Sequence, residues 1–379
     1  MGRDPSPFIA ATQNTQLKCK CLTLSTSGFS RVAETAAGIV FMSLVSSRIV
    51  VATCSAAVAF AACARTPQLS PLDPAKHQAS WEEWKGKRTA FLSTPGRPMS
   101  YSGLTWLRVG ANTIGGDSTN NVRLPGRDVP AKVGLLVRTG NAVRFEPIPG
   151  VPVTIDSQPA RAMVLLTDAI RKPSVVTVGT AGFKIMQRVD SLGVRTFDAD
   201  RVSPEAIAKE IAPLEYFPLD PAWRIAGKLM RREKPETVAV ATSSGVAEVH
   251  IVLGTVDTRI GKEDLHLTAF EGTAKTDLFF SFSDESSGEE TYGFRFLHAV
   301  LDTVTNVVAL DFNFAYNPDC AFSAFTTCPL PPDGNRIGTR IPVGERLVKY
   351  LNEGIATTRA KTLADKVRGT GAAKGEAKP

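Results

Sequence analysis

Two short runs toward the C-terminal end concentrate the side chains best suited to recognition or catalysis. Glu290, Tyr292 and Arg295 stand on the first, and Asp311, Asn313, Tyr316 and Asn317 on the second. Strand side chains alternate in direction, so Asp311 and Asn313 share a face. If the two runs pair, Arg295 meets Asp311 or Glu290, and its planar fork suits a carboxylate of the protein or of a ligand. Tyr and Asn add neutral donors and acceptors that orient a small molecule. The same residues also suit an internal network, because buried polar groups must be paired. The Pro-rich loop NPDCAFSAFTTCPLPPDGNR needs such side chains to satisfy its backbone. A hydrolase using Glu290, Asp311 or Cys320 is the third reading. No G-x-S-x-G elbow, P-loop or H-E-x-x-H is present to choose a reaction, so whether the protein is an enzyme stays open. The four histidines (His77, His250, His266, His298) are scattered, with none at ligand spacing from the cysteines, so no metal and no cofactor is expected.

The elements that must position these groups are mostly strands. Residues 76–93 read as a helix, with Trp81, Trp84, Phe91 and Leu92 on one face. From Leu104 the pattern shifts to short apolar runs separated by Gly, Asn and Asp, through Phe183–Arg188. Residues 203–211 form a short helix, capped by Ser203 with Pro204 in the first turn. A second β series runs from Thr237 to Phe314, and 344–368 turns helical. The fold class is therefore mainly β: two β-rich lobes, sandwich- or barrel-like, with a few short helices. The organisation expected is 76–195 for the helix and first lobe, 196–224 as connector, 225–346 for the second lobe, and 347–379 for a C-terminal helix and basic tail.

The chain has 379 residues, and 43% hydrophobic with 21% charged content excludes wholesale disorder. Its net charge of +7 sits in the first 63 residues and the C-terminal tail, leaving the body near neutral. No basic face remains for nucleic acid, so none is expected as a partner. Residues 42–62 order a region carrying Arg48, an apolar run to Phe60 and two alanines, in the manner of a signal peptide. The following Cys63 resembles the lipid-modified cysteine of bacterial lipoproteins, with Phe60 where an aliphatic residue is usual. The expectation is a lipid anchor at Cys63, a tether over 63–75, and residence in the cell envelope, facing the periplasm or exterior. An uncleaved anchor is the alternative. Residues 1–41 then read as an over-extended N-terminus. In an oxidising compartment Cys320 and Cys328 are expected to form a disulfide.

The stretch GEETYGFRFLHAVLDTVTNVVALDFNFAYNPDCAFSAFTTCPLPPDGNRIGTRIPVGER, residues 288–346, resembles the signature of the domain of unknown function 1684 family. Its ETYG, DFN-x-AYNP-x-CAF, TCPLPP-x-x-NR and GE blocks occur in order, and GLTWLRVGANTIGGDSTNNVRLP, RVDSLGVRTFD and FPLDPAWR also match. Phe294 stands before Arg295 where the family commonly has Gly. The blocks add Asn335, Arg336 and Glu345 to the candidate ligand-binding residues. The family has no established activity, so the resemblance implies a β fold and a motif. TIGGDSTNNVRLPGRDVPAKVG resembles the opening of a forkhead-associated domain, without that family's phosphate-reading Arg, Ser and His. Only its sandwich architecture is implied. Taken together, the sequence predicts an envelope lipoprotein whose β-rich domain binds a small polar ligand or an envelope component.

Overall fold

Helix α1 (Pro74–Leu92) begins where Asp73 accepts hydrogen bonds from the amides of Ala75 and Lys76, with Pro74 in the first turn. Its buried residues are His77, Trp81, Trp84, Arg88 and Leu92, steps of three and four that define one face. The computed structural model describes residues 67–170, 172–351 and 355–372, which fall in one compact unit. The expected signal peptide, Cys63 and residues 1–41 lie outside the described residues. Among those described, no helix is long and apolar enough to cross a membrane.

The first lobe is built from eleven short strands: β1 (Tyr101–Trp106), β2 (Gly110–Gly115), β3 (Val122–Arg123), β4 (Gly134–Thr139), β5 (Ala142–Pro147), β6 (Thr154–Ile155), β7 (Gln158–Pro159), β8 (Met163–Leu165), β9 (Val176–Val178), β10 (Ala181–Arg188) and β11 (Ser191–Asp198). They form a six-stranded sheet, β1-β11-β10-β9-β6-β7, and a five-stranded sheet, β3-β2-β4-β5-β8. Ile114, Leu136 and Phe145 from one sheet share a core with Val176, Phe183, Ile185 and Val194 from the other. The Phe145 and Phe183 rings meet edge to face at 5.7 Å across it. The result is a sandwich. The connector carries α2 (Pro204–Glu210), with the Ser203 hydroxyl accepting from the Ala206 amide as its cap.

The second lobe is a closed antiparallel barrel of six consecutive strands: β12 (Arg224–Val240), β13 (Glu248–Ile260), β14 (Glu263–Glu271), β15 (Asp277–Phe282), β16 (Arg295–Leu301) and β17 (Val307–Asp311). Closure removes the sheet edges. Leu229, Val256, Leu267, Phe280, Leu297 and Leu310 fill it. Their neighbours Val252, Phe270, Phe279 and Phe296 point outward instead, into a third cluster with Leu92, Met99, Cys320 and Phe322. β14 and β15 pair over only two positions, Phe270↔Phe279 and Glu271↔Leu278. Where that ladder parts, the Asn335 side chain takes over. Its amide donates to the Thr268 and Ser281 carbonyls and accepts from the Thr268 amide.

The C-terminal helix differs from expectation. Residues 344–351 are not helical, because their backbone is committed elsewhere: the Glu345 amide to the Ala315 carbonyl, Leu347 to Glu290, and Leu351 to Glu210. Helix α3 (Ile355–Ala372) starts later. It seats Ala360, Leu363, Ala364 and Val367 against the second lobe. α1 precedes the first lobe in sequence but docks on the second. His77 meets Asp311 at 2.8 Å, and the Trp81 indole donates to the Asn313 carbonyl.

Candidate functional site

Three of the expected partnerships resolve differently. Arg295 is fully buried and pairs with Asp284 at 3.0 Å, not with Asp311 or Glu290. Its other donors reach the carbonyls of Ile341 and Val343, and its plane lies 5.2 Å from the Phe282 ring. The reason is register: Arg295 pairs across the ladder with Phe282, two residues from Asp284, whereas β16 meets β17 only at Val300 and Leu301. Asp311 serves His77 and caps the turn at Asn313. Glu290 lies near the surface and takes both donors of Arg340 at 2.6 Å.

The expected disulfide is also absent: Cys320 and Cys328 are free, buried thiols. The loop needs no covalent closure, because the Cys320 amide donates to the Cys328 sulfur at 3.2 Å and the Tyr292 hydroxyl donates to the Cys320 carbonyl. Burial, with the neighbouring Cys320, pushes the Cys328 thiol well up, so it is a poor nucleophile at neutral pH.

Most other motif residues are likewise structural. Asn313 is fully buried, exchanging hydrogen bonds with the Asp220 backbone in both directions. Arg336 reaches Asp333 at 2.8 Å. Asn317 and Glu345 form a sealed cluster with Arg88. The guanidinium donates to Glu345 at 3.0 Å and to the Asn317 carbonyl at 2.6 Å, while the Asn317 side chain donates to Glu345. Breaking such a buried pair costs about 3–5 kcal/mol.

Tyr316 is half-buried, with Arg88, Asp319 and Asp277 among its charged neighbours. The Arg88 guanidinium lies 4.8 Å from its ring. Beyond it stands Asp319, only partly exposed and desolvated enough that burial pushes its carboxyl up. Its strongest charged neighbours are all cations: Arg88, Arg195, Arg97 and Lys184. Lys184 and Arg195 come from β10 and β11 of the first lobe, where they are direct cross-strand partners. Like charges in that position destabilise a sheet. Burial, then Arg97 and Arg195, push Lys184 down to about 8. Its ammonium donates to the Gly96 carbonyl at 3.2 Å. Arg195 donates to the Phe325 carbonyl across the lobes and lies over the Tyr101 ring at 4.9 Å.

His298 also lies beside Tyr316, its ring parallel to the phenol at 6.2 Å. Nδ1 of His298 faces both oxygens of Asp277, at 3.0 and 2.9 Å. Asp277 is itself held by the Thr273 amide and hydroxyl, at 2.6 and 3.0 Å. Tyr316 thus neighbours both the cations around Asp319 and the His298–Asp277 pair. Sequence reading missed Arg97, Lys184, Arg195 and Asp319, because only the strand register and lobe packing bring them together. Asp319 alone had a signal, sitting inside the NPDC block.

Comparison with known proteins places this geometry in a lineage without an assigned chemistry. Residues 209–346 match the family described as "Protein of unknown function (DUF1684)". Over these residues the chain belongs to that family. No curated protein matches the chain. Among solved structures, an uncharacterised protein of Haloarcula marismortui is 32% identical. That match covers 38% of this chain and 80% of the other, with a TM-score of 0.33. The crystal structure of the FhaA FHA domain, complexed with an intracellular domain, matches at 17% identity. It covers 24% of this chain and 96% of the other, with a TM-score of 0.18. The DUF1684 match contains Asp277, His298, Tyr316 and Asp319, whereas Arg88, Arg97, Lys184 and Arg195 precede it.

Proposed function

We propose that the protein is a binding module for a small anionic ligand, taken up beside Asp319 by Lys184, Arg195 and Arg97. The observation that carries this reading is the cross-strand Lys184–Arg195 pair, its lysine largely desolvated, with Arg88 and Arg97 also near Asp319. A sheet does not place two cations face to face without cost, and a bound carboxylate or phosphate removes that cost. The order of residues 42–63 supports export and a lipid anchor at Cys63, which would put the module in the cell envelope. The hydrolase built on Glu290, Asp311 and Cys320 has no such support, because Glu290 and Asp311 are engaged elsewhere and the Cys320 thiol is fully buried. Calorimetric titration with succinate and with inorganic phosphate tests the proposal. Lys184→Met should weaken binding at least about tenfold, the scale of one charge-assisted contact. Failure of both anions to bind the wild type, or unchanged affinity in the variant, overturns it.

A further inference from the structure

The His298–Asp277 pair is not needed to bind an anion. A histidine serving only the core would have both ring nitrogens engaged or sealed. Here Nδ1 is committed to Asp277, while no hydrogen bond among the described residues reaches Nε2. Nε2 is also not among the sealed polar atoms, and the side chain keeps 13% of its surface. The ring is held in place on two sides, by Phe279 at 5.3 Å and by Tyr316. Asp277 cannot swing away, because Thr273 grips its Oδ2 from two donors. A carboxylate on Nδ1 fixes the tautomer that leaves Nε2 as the acceptor and stabilises the imidazolium once formed. This is the construction of a general base, with Nε2 left uncommitted.

We propose that His298, positioned by Asp277, is the general base of an esterase whose substrates carry a free anionic group, and this rests on the anion reading above. Lys184 and Arg195 hold the anionic end of the ester. Nε2 of His298 takes a proton from a water molecule as the water oxygen bonds to the ester carbonyl carbon. The carbonyl oxygen gains the electron pair and becomes an oxyanion. The intermediate then collapses, the carbon–oxygen bond to the alcohol breaks, and the leaving alkoxide takes the proton from Nε2. The products are an acid and an alcohol, and His298 is neutral again. Burial pushes the Tyr316 phenol well up, so it stays protonated beside His298. Asp277 touches no reacting atom and is a positioning residue.

The probe is mono-(4-nitrophenyl) succinate, compared with 4-nitrophenyl acetate, which lacks the free carboxylate. Wild type should release nitrophenolate from the succinate ester at a higher kcat/KM than from the acetate. His298→Gln should lower kcat about a hundredfold or more, the usual range for a general base, and leave calorimetric binding of succinate unchanged. Asp277→Asn should lower kcat similarly and shift the acidic limb of the pH–rate profile, which a purely structural role would not do. Succinate binding without hydrolysis, or His298→Gln with wild-type kcat, overturns the esterase and leaves the anion site standing. No succinate binding overturns both. If His298→Gln does not fold, the wild-type profile decides: a rate that fails to fall as an imidazole protonates overturns the proposal.

Discussion

At the scale of single residues, the cations around Asp319 stand where charge is costly. Lys184 holds its proton less tightly than an ordinary lysine, about 8 against 10.5, because burial and two arginines oppose its charge. The folded state therefore binds fewer protons than the unfolded chain between those values. The penalty is fully present below pH 8 and is relieved as pH rises toward 10.5. A bound anion favours the ammonium and draws a proton in. Affinity for succinate should fall as pH rises through about 8, and titrations at pH 9 in two buffers of different ionisation enthalpy should show proton uptake. The pH-independent binding expected of an arginine-only site would contradict this. Little of it was legible in the sequence. Arg295 and Tyr316 stand out by residue type, but the partner of Arg295 depends on strand register, and Asp284 lies outside the two runs that carry the other polar groups. Lys184 and Arg195 look like two unrelated surface cations until β10 and β11 are laid side by side.

Elements were more readable than residues. Alternation of apolar and polar positions located most barrel strands, and Ser203-Pro204 marked the start of α2. The ends were less clear, because side chains rather than periodicity terminate them: Asp311 caps a turn at Asn313 and stops β17. The start of α3 was misplaced because residues 344–351 have the composition of a helix but spend their backbone on other partners. Gly293 fixes where α3 sits. A Cβ there would lie 2.7 Å from both the Ala360 carbonyl and the Ala364 amide, closer than real contacts allow. Since helix backbone cannot yield, Gly293→Ala should lift α3 off the second lobe. Hydrogen exchange should then show lost protection across 360–367, with the barrel strands unchanged. Retained protection would mean that α3 can slide without undocking.

For the whole molecule, the family-matched region is not the structural unit. Residues 209–346 contain the barrel but not α1, so Glu345 loses Arg88 and Asp311 loses His77. Leaving a buried carboxylate unpaired costs about 3–5 kcal/mol, a large part of a typical domain's stability of about 5–15 kcal/mol. A protein of residues 209–346 should show no cooperative denaturant transition, whereas one of 67–372 should. A sharp transition in the shorter protein would show that α1 is an accessory. The two-lobe plan was visible from composition and spacing. The docking of α1 on the far lobe was not, because an amphipathic helix announces its buried face without naming what covers it.

The Arg88–Glu345 contact closes a span of 257 residues. On the ribosome, α1 emerges before both lobes and its partner Glu345 only after the barrel strands. The sandwich can complete itself while α1 waits with Trp81 and Trp84 uncovered. Closing so long a loop is slow, and the arginine has no buried counter-charge until it happens. If the chain is exported as proposed, α1 crosses in that unprotected state, and whatever escorts the nascent protein must keep two tryptophans from finding the wrong surface.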